Sequence, residues 1–121
     1  MIKNLLLVGL GGGIGSMLRY LAWYLFKSNQ LPVPTFIVNI AGSLVIGIVI
    51  GLSMKEPAIN ANWKLFLATG ICGGFTTFSA FSIENLQLML EGKYMQSVLY
   101  IMLSILLGIV AAWAGFKLVS T

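Results

Sequence analysis

Long apolar stretches alternate with short polar connections along the whole chain. Four of these stretches are long enough to cross the hydrocarbon core of a membrane as helices, which takes about 20 residues each. They are predicted to form helices over residues 4–26, 33–54, 63–91 and 94–119. The pattern therefore predicts an all-α integral membrane protein in which residues 1–121 form a single four-helix transmembrane domain.

Aromatic residues near the ends of the stretches fit the same interpretation. Trp and Tyr gather where a membrane meets water, because their rings combine an apolar body with a polar group. The residues in such positions are Trp23, Tyr24, Trp63, Tyr94 and Trp113. Composition agrees, since 59% of the residues are hydrophobic and only 8% are charged, against roughly 25% charged residues in a soluble domain.

Missing residue types exclude several classes of protein. The chain has no His and one Cys, and its three acidic residues are all Glu. Catalytic triads with His, His-metal cages and internal disulfides are therefore excluded, and we expect no enzyme activity. The net charge of +4 comes from Lys and Arg residues that are scattered singly. This favours anchors at the membrane surface over a nucleic-acid partner.

Small residues repeat every fourth position in three of the stretches, and such rows let membrane helices pack closely. The rows are Gly9/Gly13, Gly11/Gly15 and Gly12/Ser16 in the first stretch, Asn39/Ser43/Gly47/Gly51 in the second, and Tyr100/Ser104/Gly108/Ala112 in the fourth. Asn39 and Tyr100 need hydrogen-bond partners inside a membrane. Their rows are therefore predicted either as packing seams or as parts of a polar pathway.

The middle of the third stretch is a poor helix former. Gly73 and Gly74 cost roughly 1 kcal/mol each relative to Ala, and the hydroxyls of Thr76 and Thr77 compete for backbone hydrogen bonds. A break over Gly73–Thr77 would free carbonyl oxygens, which are hard ligands suited to a small cation. A simple kink in a continuous helix is the alternative.

Phenylalanines and serines alternate directly after this point. Phe78 and Phe81 are three residues apart and share a helix face, with Ser79 and Ser82 beside them. An aromatic ring has a positive edge that can contact an anion. A phenylalanine row at helical spacing is usually ordinary packing, and contact between these ring edges and an anion is the alternative that the neighbouring hydroxyls support.

Three segments together closely resemble the small fluoride channels of the Fluc (CrcB) family. They are residues 73–84 (GGFTTFSAFSIE), residues 11–20 (GGGIGSMLRY) and residues 34–42 (PTFIVNIAG). The resemblance extends over essentially the whole chain. It implies an antiparallel, dual-topology homodimer with two pores, which conducts fluoride passively across the cell inner (plasma) membrane. The partners it implies are fluoride, a second copy of the chain and the lipid bilayer.

The same resemblance assigns residues to the fluoride pathway. They are Asn39, Phe78, Phe81, Ser79, Ser82, Tyr100, Ser104, Glu84 and Arg19. It further implies a structural Na⁺ at the dimer centre, held by the backbone carbonyls of Gly73 and Thr76 of each subunit. The chain departs from the family pattern at Ala80, where a threonine is expected in many relatives, and at Gly108, where a hydroxyl residue can stand.

The distribution of positive charge is nearly even between the two sides of the membrane. With four spans, Lys3, Lys55, Lys64 and Lys117 lie on one side, and Lys27 and Lys93 lie on the other, with Arg19 added if it reaches that surface. Such a weak bias fits insertion in both orientations, although a protein with one poorly specified orientation would look the same.

Two other classes of protein fit a small four-span chain. A small multidrug-type transporter coupled to protons needs a membrane-embedded carboxylate. The first stretch has none, and Glu84 is the only acid well inside a span. A purely structural membrane subunit is the third class.

Overall fold

The computed structural model describes residues 1–27, 32–55 and 61–120, and every regular element in these ranges is helical. Helices α1, α2 and α6 are continuous, over Ile2–Phe26, Val33–Lys55 and Tyr94–Ser120. The third span consists of α3 (Ala61–Lys64), a π-helical segment (Leu65–Cys72), α4 (Gly73–Phe75) and α5 (Phe78–Leu90). All four spans are long and apolar enough to cross a membrane, so the chain is a multi-pass membrane protein.

The connection between α5 and α6 is a tight turn that depends on Gly92. Gly92 has φ +77°, in the left-handed region that favours glycine because a side chain would clash with the backbone. The amide of Gly92 donates to the carbonyl of Met89 over 3.0 Å, and that of Lys93 donates to Leu88 over 2.8 Å. These two bonds satisfy carbonyls at the end of α5 and bring α6 back alongside it.

Helix α1 packs against the first half of the third span through Gly11 and Gly15, both of which are buried. A Cβ at Gly11 would lie 2.6 Å from the carbonyl oxygen of Phe66. Gly9 and Gly13, by contrast, have open space where a Cβ would stand. Of these two predicted rows of α1, the Gly11/Gly15 row is therefore the one that forms a close helix contact.

The two rows that carry Asn39 and Tyr100 meet each other between α2 and α6. A Cβ at Gly47 of α2 would collide with the carbonyl oxygen of Ala112 of α6. A Cβ at Gly108 would lie 3.7 Å from the hydroxyl oxygen of Ser43. This close approach brings the polar members of both rows into one region of the bundle.

The third span is broken, but at a different place from the glycines that suggested it. Thr76 (φ −84°, ψ 155°) and Thr77 (φ −149°, ψ 121°) are extended, whereas Gly73 and Gly74 belong to helix α4. The break thus lies within the predicted range Gly73–Thr77 but is confined to its two threonines, and Gly73 and Gly74 stay helical. A Cβ at Gly74 would collide with the backbone of Gly12, so the glycine allows α1 and α4 to touch.

Candidate functional site

The side chain of Asn39 spans from α2 to the break in the third span. Its Nδ2 donates to the carbonyl oxygen of Thr77 over 3.2 Å, and its Oδ1 accepts from the amide of Thr77 over 2.9 Å. The two bonds together define which way the Asn39 amide points. Since an amide group has two N–H donors, one of them remains for another acceptor.

Helix α5 begins directly after the break with Thr77 as its N-cap. Thr77 Oγ1 accepts from the amide of Ala80 over 3.2 Å and lies 3.2 Å from Ser79 Oγ. Such a cap satisfies one of the free amides at a helix start. Thr76 turns the other way, since its hydroxyl donates to the carbonyl of Cys72 over 2.8 Å.

Because of these bonds, the carbonyls of Gly73 and Thr76 do not receive the amide donors that a continuous helix would give them. In an α-helix, each amide donates to the carbonyl four residues earlier. The amide of Thr77 would serve Gly73, and that of Ala80 would serve Thr76. Here they donate to Asn39 and to the Thr77 hydroxyl. The carbonyls expected to hold a cation have therefore lost their usual helical donors, and Gly73 is exposed.

Arg19 reaches the break from α1. Its Nε donates to the carbonyl oxygen of Gly74 over 3.1 Å, at the end of α4. Because the C-terminal end of a helix carries partial negative charge, a guanidinium there is favourable. Arg19 thus contacts the backbone at the break and places a positive charge beside it.

A cleft of about 420 Å³ opens beside the break. Its lining includes Asn39, Phe78, Phe81 and Ser104, which are four of the predicted pathway residues. The rings of Phe78 and Phe81 lie 6.0 Å apart at 40°, and Phe78 is 78% exposed in the single chain. The oxygen of Ser104 is buried and has no hydrogen-bond partner among the described residues.

Glu84 accepts hydrogen bonds on both carboxylate oxygens. Thr35 Oγ1 donates to Oε2 over 2.7 Å, and Tyr100 Oη donates to Oε1 over 2.8 Å. The ring of Tyr100 also packs against Phe81, with centroids 4.9 Å apart. Glu84 therefore links α2, α5 and α6 next to the phenylalanine pair.

Another cavity, of about 230 Å³, has Arg19, Thr35 and Glu84 among its lining residues. Thr77 lines both this cavity and the larger cleft. Thr77, whose backbone is bonded to Asn39, therefore borders both the cleft with the phenylalanines and the cavity with Arg19 and Glu84.

The remaining predicted pathway residues lie apart from these contacts. Ser79 is exposed and reaches only Thr77, while Ser82 is exposed and lines neither cavity. At the two departures from the family pattern, Ala80 lines the smaller cavity with a methyl group, and Gly108 leaves space beside the Ser43 hydroxyl.

Sequence reasoning missed Thr35 and treated Thr77 only as a helix breaker. Thr35 is buried and binds Glu84. Its position four residues before Asn39, on the same face of α2, was a usable signal. It also missed the buried pair Asn85 and Ser97, in which Ser97 Oγ donates to Asn85 Oδ1 over 2.8 Å. No spacing rule links these two residues, because the turn at Gly92 lies between them.

Side-chain metal sites are not found in the part of the chain that the structure describes. No three side chains of His, Cys, Asp or Glu come together there.

Comparison with known proteins gives one consistent family. Residues 6–116 match the family described as CrcB-like protein, Camphor Resistance (CrcB). A protein of Azobacteroides pseudotrichonymphae named Fluoride-specific ion channel FluC is 46% identical, over 98% of this chain and 97% of that protein. Proteins of the same name from Flavobacterium psychrophilum and Methylobacillus flagellatus are 45% and 47% identical, over 94% and 96% of this chain and 94% of each relative. With such similarity over nearly its full length, the chain belongs to the CrcB family.

Proposed function

We propose that the protein is a passive, fluoride-selective ion channel that exports fluoride across the bacterial inner (plasma) membrane. The observation that carries this proposal is the grouping of Asn39, Phe78, Phe81 and Ser104 around one cleft at the break. It occurs in a chain whose relatives are named fluoride-specific ion channels. These names denote a kind of protein other than an enzyme, and ion conduction requires no chemical step.

The lining of the cleft suits a small, strongly hydrated anion. A pore must replace the water around an ion with contacts that are favourable but weak enough for the ion to leave. The second N–H of Asn39 and the hydroxyl of Ser104 can donate to fluoride. The positive edges of Phe78 and Phe81 add weaker contacts. The hydroxyls of Thr35 and Tyr100 already donate to Glu84, so they shape the pathway through that carboxylate.

A second, oppositely oriented copy of the chain would complete the pathway. Phe78 is largely exposed on the single chain, and Ser79 and Ser82 project outside the contacts within it. The near balance of Lys residues on the two sides of the membrane favours insertion in both orientations. We therefore propose an antiparallel homodimer in the lipid bilayer, with two pores related by the twofold axis.

The chemistry of the break fits a structural Na⁺ at the dimer centre. The carbonyls of Gly73 and Thr76 would hold it, two from each subunit. Neutral oxygens are suitable ligands for a hard cation, and these two carbonyls have had their helical donors redirected. When bound, the ion would stabilise carbonyl dipoles that are costly to leave unpaired inside a membrane.

A small multidrug-type transporter coupled to protons remains the alternative class. Such a transporter needs an embedded carboxylate that exchanges protons and substrate. Both oxygens of Glu84 are already held by hydroxyls of α2 and α6, which disfavours free exchange.

Reconstitution into liposomes tests the channel directly. We expect rapid fluoride efflux, far faster than chloride efflux from matched liposomes, with protein-free liposomes as the control. Equal efflux of the two anions would contradict selectivity. Drug uptake driven by a proton gradient, without fluoride efflux, would support the transporter instead.

A further inference from the structure

The side chain of Asn39 provides hydrogen-bond partners for both backbone groups of Thr77, in place of backbone partners. It accepts the Thr77 amide over 2.9 Å and donates to the Thr77 carbonyl over 3.2 Å. An unsatisfied backbone group costs several kcal/mol in a hydrocarbon environment. The extended conformation of Thr77 is therefore sustained by a side chain of a different helix.

The bond from the Thr77 amide to Asn39 changes the hydrogen bonding of the Gly73 carbonyl. If Thr77 continued the helix, its amide would donate to the carbonyl of Gly73. By accepting this amide, Oδ1 of Asn39 leaves the Gly73 oxygen without that donor. The cap that Thr77 Oγ1 provides to Ala80 has the same effect on the carbonyl of Thr76, and it forms only while Thr77 is extended.

We propose that Asn39 is a positioning residue for the central cation as well as a lining residue of the anion cleft. Its acceptor oxygen holds the break in the conformation that presents the Gly73 and Thr76 carbonyls. One amide group thus couples the two ion sites of the protein. This inference rests on the proposed Na⁺ site, and the experiment below separates the two.

Three variants distinguish the groups involved. Asn39→Leu removes both hydrogen bonds, and Asn39→Ala does so with less bulk. Asn39→Asp keeps an oxygen that can accept the Thr77 amide in either protonation state. Ser53→Ala is the matched control on α2, since the Ser53 hydroxyl donates only to the carbonyl of Ile50 in its own helix.

The first measurement is thermal unfolding of the purified dimer in Na⁺ against N-methylglucamine, over a range of Na⁺ concentrations. Ligand binding to the folded state raises its stability by RT ln(1 + c/Kd) at a Na⁺ concentration c, so above Kd the stability grows with the logarithm of the Na⁺ concentration. We expect the unaltered protein, Ser53→Ala and Asn39→Asp to respond at similar Na⁺ concentrations. To reach the same stabilisation, Asn39→Leu and Asn39→Ala should need an Na⁺ concentration at least about tenfold higher. A tenfold factor is equivalent to ~1.4 kcal/mol.

The second measurement is the crystal structure of Asn39→Leu, or of Asn39→Ala if leucine prevents folding. We expect Thr77 to turn helical and its amide to donate to Gly73. An unchanged, extended Thr77 would overturn the positioning role, as would an unchanged Na⁺ response in both variants. If the unaltered protein shows no Na⁺ response, the proposed Na⁺ site is wrong. The backbone conformation of Thr77 in the variant structure then still tests whether Asn39 holds the break.

Discussion

Tyr100 donates its phenolic hydrogen to Oε1 of Glu84 over 2.8 Å, while its ring packs against Phe81. One residue of α6 therefore holds both the carboxylate and an aromatic ring of α5. The hydroxyl and the ring can be separated experimentally, because phenylalanine keeps the ring and loses only the hydrogen bond.

Replacing Tyr100 by Phe should lower fluoride efflux from liposomes. The Oε1 atom of Glu84 would lose its donor, and an acceptor oxygen without a donor beside the pathway disfavours a passing anion. We expect efflux to fall by about tenfold, which corresponds to a rise of ~1.4 kcal/mol in the barrier to conduction. Tyr94→Phe removes the same atom from an exposed tyrosine at the start of α6 and should leave efflux unchanged. Equal efflux from the two variants would remove Glu84 and Tyr100 from the pathway.

The two phenylalanines can be tested by a change that keeps their apolar bulk. Isoleucine at Phe78 or Phe81 removes the positive ring edge, and we expect fluoride efflux to fall by about an order of magnitude in at least one variant. Phe26→Ile, at the exposed end of α1, is the control. Near-normal efflux from both pathway variants, each shown to be dimeric, would mean that the two rings have only a packing role.

The glycines of α1 offer a matched pair for stability. A Cβ at Gly15 would collide with the carbonyl of Ile71 and lie 2.7 Å from the amide of Phe75, whereas Gly13 faces open space. Gly15→Ala should lower the free energy of unfolding by about 1–3 kcal/mol through overpacking. Gly13→Ala should leave it unchanged or raise it by up to about 1 kcal/mol, because alanine favours helix. Unfolding titrations in mixed micelles measure both changes, and a similar loss for the two variants would contradict the close contact at Gly15.

Orientation is tested with a tag at the C-terminus. In a dual-topology protein, the tag should be accessible from both sides of the membrane in comparable amounts. Adding two or three Lys residues to one side should bias insertion, because local Lys and Arg excess sets topology. The biased protein should lose efflux and regain it when co-expressed with an oppositely biased copy. Full efflux from a protein inserted strictly one way would refute the antiparallel dimer.

The four spans could be predicted because membrane solvation acts on average hydropathy, which is a local property of the sequence. The break was predicted to within residues 73–77, but which of these residues leave the helix was not, since that depends on what each glycine touches. Gly74 has low helix propensity in isolation, but in the fold it is the only residue type that lets α4 approach Gly12 so closely. Low helix propensity identified the region of the break, and within that region the extended residues are Thr76 and Thr77.

The candidate site was predictable in its residue types more than in its bonds. Polar side chains in a span must find partners, which drew attention to Asn39 and Tyr100. The partner of Asn39 is the backbone of Thr77, and backbone partners leave no trace in side-chain spacing. Ser82 illustrates the opposite case, since its hydroxyl stands in the motif but lines neither the cleft with the phenylalanines nor the cavity with Arg19 and Glu84.

The bond between Asn39 and Thr77 has a consequence for biogenesis. Helix α2 precedes the third span in the chain and is synthesised first, so Asn39 can already be in the bilayer when Thr77 enters it. The backbone groups at the break then meet their partner on arrival instead of waiting unpaired in lipid, where each would cost several kcal/mol. A circular permutant that places α2 last would reverse this order, and its third span should insert poorly although every contact of the finished fold remains available.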